Sequence, residues 1–362
     1  MVFLGGPRQC GKTTLAETLL SQTTGQYFNW DSSSQRKDIL AEKWSDDKKL
    51  IVFDELHKYG KWKNWIKGVY DTQKNKHQFM VTGSARLDVY KRGGDSLLGR
   101  YHHWRLHPFS LTEIPKGISR QDAFARLMKV GGFPEPFLNP EEREATRWRR
   151  ERVTRIFRED IRDLENIRDL SAMELFIDAL KTRVGTPVVL SNIAEDLQVS
   201  PKTLARWLVI LEKMYLIFVV RPFTEKIPRA IQKPPKVFFF DNADVEGDEG
   251  AKFENFVATH LLKKIQFLED YTGNHYELKY IRDKEEREVD LAIVKNKKIV
   301  ELYEAKLSDG VISKGLKYYA DRLNPNLAVQ ILGTEQKELL KGKMLLTSAL
   351  EHFNENWFTN EP

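Results

Sequence analysis

The stretch from Val2 to Leu20 constrains the fold more than anything else in the chain. A short apolar segment, Val2-Phe3-Leu4, runs into Gly5-Gly6-Pro7-Arg8-Gln9-Cys10-Gly11-Lys12-Thr13-Thr14 and then into Leu15-Ala16-Glu17-Thr18-Leu19-Leu20. Gly6, Gly11, Lys12 and Thr13 satisfy the G-x-x-x-x-G-K-[ST] spacing between a strand and a helix, the context in which that pattern cradles phosphate. Glycines let the backbone curl until successive N–H groups point inward, and the first turn of the helix adds a fixed positive potential. The whole run of Gly6, Pro7, Arg8, Gln9, Cys10, Gly11, Lys12, Thr13 and Thr14 is therefore expected to hold nucleotide phosphates. Lys12 is expected to reach between the β- and γ-phosphates, and the Thr13 hydroxyl to ligate Mg²⁺. The plainer alternative, a glycine turn that only opens a helix, explains neither the lysine nor the correct flanks.

Such a loop needs a sheet behind it, and the next segments supply one. Tyr27 to Asp31 reads as a second strand ending on a polar residue, where doubly wound sheets put their ligand-facing side chains. Ser32 to Lys49 is charged, with Ile39, Leu40, Ala41 and Trp44 at helical spacing, and reads as a surface helix. Leu50-Ile51-Val52-Phe53 is a continuous apolar run, as in a strand buried on both faces, and it closes on Asp54-Glu55. Downstream of a phosphate loop, Asp54 is expected to hold Mg²⁺, directly or through water. Glu55 is expected to orient and deprotonate the attacking water.

Trp62, Trp65, Ile66 and Val69 recur at helical spacing and read as core. Phe79 to Ser84 is a fourth strand, whose Thr82 or Ser84 could bond the γ-phosphate or cap the next helix. Arg86 and Arg100 are candidates for an arginine donated to a neighbouring subunit's γ-phosphate, Arg100 being the better placed; a plain surface role is the alternative for each. Trp104 to Leu111 reads as a last strand and turn, and Asp122 to Val130 as a helix. Gly131-Gly132-Phe133-Pro134-Glu135-Pro136 then marks a break between domains.

Composition sets the outer bounds. A chain of 362 residues, 41% hydrophobic and 30% charged, has room for two or three domains with buried cores. No apolar run approaches the roughly twenty residues that cross a bilayer, so no membrane partner is expected. Met1 to Leu4 reads as strand and not as a secretory signal. The single cysteine, Cys10, excludes a disulfide framework or a cysteine metal cluster within one chain, and a cytoplasmic setting is expected. A net charge of +6 is a weak argument for a polyanionic partner; where the arginines fall says more. With nothing ahead of the first strand, adenine is expected to be held by other parts of the chain or by residues preceding Met1.

At this point the residues resemble the prokaryotic AAA-type ATPases whose C-terminal half is a domain of unknown function, built from a helical and winged-helix part followed by a nuclease-like part. The matching stretches are Gly6 to Thr14, Asp54-Glu55, Thr82-Gly83-Ser84, Leu98-Gly99-Arg100 and Gly131-Gly132-Phe133-Pro134, and the resemblance continues over nearly the whole chain. It implies ATP and Mg²⁺ as cofactors and a homo-oligomer or DNA as candidate partners. The fold class expected is α/β: a P-loop NTPase parallel sheet over residues 1–130, a helical linker and winged helix-turn-helix over 131–240, and a restriction-endonuclease-like α/β domain over 241–362.

The middle of the chain carries an arginine-rich stripe. Trp148, Val153, Ile156, Phe157, Ile161 and Leu164 form one helical face, interleaved with Arg147, Arg149, Arg150, Arg152, Arg155, Arg158 and Arg162. Glu151, Glu159, Asp160 and Asp163 neutralise part of that charge, so a solvated face is the alternative to phosphate or subunit contact. Pro187 to Leu208 reads as helix, turn, helix, with Ser200 capping the second helix and Pro201 at its first position. Leu216 to Arg221 and Lys236 to Phe240 follow as a strand pair, the wing. Lys202, Thr203 and Arg206 could then face DNA, or the unit could only join domains.

In the last third, Lys252 opens a helix, and strands are expected at Glu277–Ile281, Glu288–Val294 and Ile299–Lys306. Alternation puts Glu304 and Lys306 on one sheet face, within reach of Asp290. Asp290, Glu304-Ala305-Lys306 and the helical Glu254 resemble the PD-(D/E)xK nuclease core. That resemblance implies Mg²⁺ held by Glu254, Asp290 and Glu304, with Lys306 supporting the attacking water. The alternative is a retained fold whose acids make salt bridges to Lys306 and Arg287. A helix from Lys314, a strand from Leu327 to Leu332 and a helical or frayed tail complete the chain.

Two readings of different class follow: an ATP-driven DNA-processing enzyme, or a nucleotide-controlled interaction switch with a catalytically inactive nuclease-like part.

Overall fold

The structure is a computed structural model that describes residues 1–83, 97–161, 170–224, 233–308, 310–334 and 338–362. Ser84 and Arg86, and the helix positions Arg162 to Leu164, lie outside the described residues. The chain forms two compact units, Met1–Pro108 with Lys213–Tyr215, and Phe109–Glu212 with Leu216–Pro362. The break after Pro108 comes earlier than the one expected after Val130. Its cause is local: the Phe109 amide donates to Gly132 O at 2.7 Å and the Leu111 amide to His260 Nε2 at 3.0 Å, anchoring this segment in the second unit.

The first unit is a five-stranded sheet of β1 (Val2–Gly5), β2 (Gly25–Asn29), β3 (Leu50–Asp54), β4 (Gln78–Thr82) and β5 (His102–Arg105) in the order β2-β3-β4-β1-β5. Every neighbouring pair is parallel. This order puts the carboxyl ends of β3, β4 and β1 side by side, with Asp54 opposite Thr82 and Thr82 opposite Leu4. Phe53 centres the core, stacked with Phe28 and Phe79 and edge-on to Trp44 and Trp65. Trp62, Ile66 and Val69 of the Trp62–Gln73 helix complete it, as their spacing predicts. The expected surface helix is shorter than the sequence suggests, Ser33–Leu40. Trp44 leaves it to bond Gln73 Oε1 at 2.8 Å and to pack on Phe53.

Among its described residues the second unit carries the helices Arg120–Lys129, Pro134–Leu138, Glu142–Arg155, Leu170–Lys181, Leu190–Asp196 and Pro201–Lys213 ahead of its sheet. Glu142–Arg155 continues as a π-helical turn, Ile156–Ile161. The sheet strands are β6 (Ile217–Pro222), β7 (Lys236–Phe239), β8 (Tyr276–Arg282), β9 (Glu288–Lys295), β10 (Lys298–Lys306), β11 (Leu327–Leu332), β12 (Leu339–Lys341) and β13 (Met344–Ser348). They form one eight-stranded sheet, β12-β13-β11-β10-β9-β8-β6-β7, against which the helices Glu249–Thr272 and Lys314–Leu323 pack.

Two features depart from expectation. The strands read as a wing are not a separate hairpin: β6 pairs parallel with β8, Arg221 opposite Lys279 and Pro222 opposite Tyr280, so they extend the later sheet. The tail first forms two strands, the second parallel to β11, with Gly342 at φ +62° turning the chain between them, and then the expected helical turns, Ala349–His352 and Glu355–Thr359.

Candidate functional site

The loop after β1 has the backbone a phosphate cradle requires. Gly6 sits at φ +141°, and a Cβ there would stand 2.3 Å from the Leu106 carbonyl oxygen, so only glycine fits. Gly11, at φ +99°, precedes the Lys12–Ser21 helix. Lys12 is buried and its ammonium donates to Gly6 O at 3.2 Å and Pro7 O at 2.5 Å, lying across the curl of the loop. Cys10 faces inward, its thiol 3.5 Å from Leu106 O and 3.8 Å from Lys12 Nζ; burial pushes its pKa up. Thr14 points outward.

Asp54 is the node of the site. Its Oδ2 accepts from the Thr13 hydroxyl at 3.1 Å and from the Tyr27 phenol at 2.6 Å, and its Oδ1 accepts from the Thr82 hydroxyl at 2.5 Å. Burial, with Asp54 adding to it, pushes the Tyr27 phenol well above its ordinary range, which keeps it a donor. Tyr27 was not legible as a site residue: the sequence marks β2 only as a strand, and which face meets Asp54 depends on register with β3. The Thr82 hydroxyl, expected to bond the γ-phosphate or cap the next helix, donates to Asp54.

Glu55 follows in a left-handed backbone conformation, φ 57°, costly for a residue with a side chain and held by its amide donating to Thr82 O at 3.0 Å. Its carboxylate stands 3.2 Å from Lys58 Nζ and 3.5 Å from His57 Nε2. Burial raises its pKa, Lys58 pulls it down, Asp54 pushes it up and Arg8 pulls it down; the net shift is upward. The donors Thr13 and Asp54 are hard oxygen groups of the kind that hold Mg²⁺ beside nucleotide phosphates, so this pair fits that ion.

Arg100 lies elsewhere. β5 runs parallel to β1 with His102 opposite Val2, which puts Arg100 at the amino-terminal edge of the sheet, roughly 13 Å of strand from the loop. Its guanidinium grips Asp71 with two bonds, 2.8 and 3.0 Å. It does not serve the loop of its own chain.

The sequence-predicted acids of the second unit do gather. Alternation along β9 puts Glu288 and Asp290 on one face, and β10 brings Glu304 and Lys306 beside them, with Lys306 Nζ 3.1 Å from Glu304 Oε1. Asp290 Oδ2 accepts from the Ala305 amide at 2.9 Å. What the sequence reading missed is Lys236, the first residue of β7 and 1% exposed. Its ammonium stands 2.6 Å from Glu288 Oε1, 3.0 Å from Glu254 Oε1 and 3.9 Å from Asp290 Oδ1. Burial alone would lower its pKa, but Glu254, Asp290 and Glu288 together outweigh burial and hold it charged. Three acids share that one ammonium, and burial with Asp290 pushes Glu254 up to about 8. Burial and Asp290 likewise push Glu304 up to about 7. Among the described residues no group of three or more His, Cys, Asp or Glu side chains is arranged to hold a metal ion. Glu254, Asp290 and Glu304 are together, but they do not fit a divalent ion. A lysine heading a strand of unbroken Val-Phe-Phe was the available signal.

On the Pro201–Lys213 helix, Lys202 and Arg206 are exposed and Thr203 is half-buried, its amide capped by Ser200 Oγ at 3.0 Å.

Residues 1–115 match a family model described as an AAA domain. The first unit is similar to an AAA-type P-loop domain. Residues 121–243 and 249–349 match two models described as domains of unknown function, DUF8612 and DUF4143. Uncharacterized proteins of Mycobacterium bovis and Mycobacterium tuberculosis are each 24% identical over 245 residues, 67% of this chain and 54% of theirs. An uncharacterized protein of Methanocaldococcus jannaschii is 23% identical over 197 residues, 49% of this chain and 44% of its own. The chain thus spans about half the length of the curated relatives it matches. Among solved structures, the Aeropyrum pernix ORC1 protein in complex with DNA is similar over 71% of this chain and 87% of that one, at 14% identity and a TM-score of 0.31, too slight to carry an argument. No helix among the described residues is long and apolar enough to cross a membrane.

Proposed function

We propose that the first unit binds ATP and hydrolyses it with Mg²⁺. The observation that carries this reading is the Asp54 node: one carboxylate fixed by hydroxyls from the loop helix, β2 and β4, with Glu55 next in sequence. Mg²⁺ between Thr13 and Asp54 would neutralise charge on the β- and γ-phosphates. Lys12 turns from the loop carbonyls to the phosphates, and the loop amides hold them. Glu55, with its pKa raised, accepts the proton of a water lined up on the γ-phosphate.

The second unit is the output. Exposed Lys202 and Arg206 support duplex DNA as its partner. A protein partner is the outcome if duplex binding is absent or insensitive to salt.

Lys12→Ala is expected to abolish nucleotide binding in calorimetry, while Glu55→Gln binds ATP normally and loses at least a hundredfold in turnover. Normal hydrolysis by Glu55→Gln would overturn the assignment of the base.

A further inference from the structure

The carboxylates of the second unit surround an ammonium group. We propose that Lys236 is a built-in cation that occupies the place expected for a divalent ion between Glu254 and Asp290, so that this pocket excludes metal.

The geometry matches the charge to its ligands. An ammonium has three protons in a compact tetrahedral head. Two are aimed at Glu288 Oε1 and Glu254 Oε1 at 2.6 and 3.0 Å, and Asp290 Oδ1 lies 3.9 Å away. The Tyr280 ring completes the surround, its centroid 5.5 Å from the nitrogen. These groups come from the Glu249–Thr272 helix and from β8 and β9, so one side chain joins elements far apart in sequence.

The lysine is also held at its root. The Tyr280 hydroxyl donates to Pro234 O at 2.7 Å, and the Val188 amide donates to Pro235 O at 2.7 Å, clamping the chain just before Lys236. Glu254 is seated from the other side by Gly185. At φ +76° that glycine has no Cβ; one would stand 2.4 Å from Glu254 Oε2. Asp290 is held as well, its Oδ2 accepting from the Ala305 amide. An entering divalent ion would have to expel a buried ammonium from its partners and find water or protein to receive it, which a buried ion pair resists. The inference is independent of the nucleotide site, which lies in the other unit and shares none of these residues.

The test is Mn²⁺ binding followed by electron paramagnetic resonance on the nucleotide-free full chain. Wild type is expected to hold no Mn²⁺ that Asp290→Asn removes. Lys236→Met is expected to gain a site at least tenfold tighter than any background binding, lost again when Asp290→Asn is added, while Lys236→Arg stays without it. A folded Lys236→Met, by circular dichroism, that gains no site overturns the proposal. So does a wild-type site abolished by Asp290→Asn or Glu304→Gln. If Lys236→Met does not fold, the wild-type arm decides alone: Mn²⁺ bound there overturns the proposal, and its exclusion sustains it.

Discussion

Asp54 accepts hydrogen bonds from Thr13, Thr82 and Tyr27, and each donor belongs to a different element. A carboxylate tied that way cannot rotate without breaking a bond to the loop helix, to β2 or to β4. Arg100 shows the opposite situation, an exposed ion pair with Asp71 at the far edge of the same sheet. Exposed pairs of this kind are screened by water and contribute little, so releasing the arginine costs little. Arg100→Ala is therefore expected to leave the urea midpoint nearly where it is in wild type. If Arg100 reaches a neighbouring chain's phosphate, the same variant loses turnover by about 10³-fold or more. Mixing it with Glu55→Gln chains should then restore part of the activity, because each partner supplies what the other lacks. Loss of turnover without restoration on mixing would rule out the trans role.

The arginine-rich helix shows what burial does to a charge pattern. Arg152 was expected to share a surface with Arg147 and Arg155, yet it is 2% exposed, bonded to Asp244 Oδ2 at 2.6 Å, 3.5 Å from Asp241 Oδ2, and stacked 4.1 Å over Phe133. Gly131 makes room: a Cβ there would lie 1.8 Å from Asp241 Oδ1, so the Gly131-Gly132-Phe133-Pro134 run forms one side of a buried ion cluster. Arg152→Met leaves two acids buried without their partner and is expected to cost about 3–5 kcal/mol in urea denaturation. Burial, with Asp244 adding to it, pushes Asp241 up to about 7 from its ordinary 3.8. The folded chain thus keeps a proton that the unfolded chain has lost. Stability from it is full below pH about 4 and is lost as pH rises through about 7. Asp241→Asn is expected to remove that decline, so its urea midpoint gains on wild type steadily between pH 4 and 7; a constant gap would refute it. The loop, β3 with its acids and the Asp290–Glu304–Lys306 face were legible because a local spacing fixes each of them. Tyr27, Lys236 and the burial of Arg152 were not, since each depends on which strand or loop lies opposite, and one sequence carries no register between distant segments.

At the scale of the whole molecule, the division into two compact units sets how the chain should melt. The phosphate loop, Asp54 and Glu55 all lie in the first unit, so a nucleotide that binds there stabilises that unit's folded state directly. At a free concentration a hundred times Kd the gain is about 2.7 kcal/mol. For a unit of this size each kcal/mol raises a midpoint by roughly 4 °C, giving a shift of roughly 10 °C. A chain built this way departs from a single all-or-none transition whenever one unit is stabilised alone. Calorimetric scans with ATP and Mg²⁺ are accordingly expected to move one transition upward and leave the other in place, with Lys12→Ala abolishing the shift. If both transitions rise together by the same amount in wild type, the two units unfold as one body. Nucleotide binding would then be felt by the eight-stranded sheet without any hydrolysis.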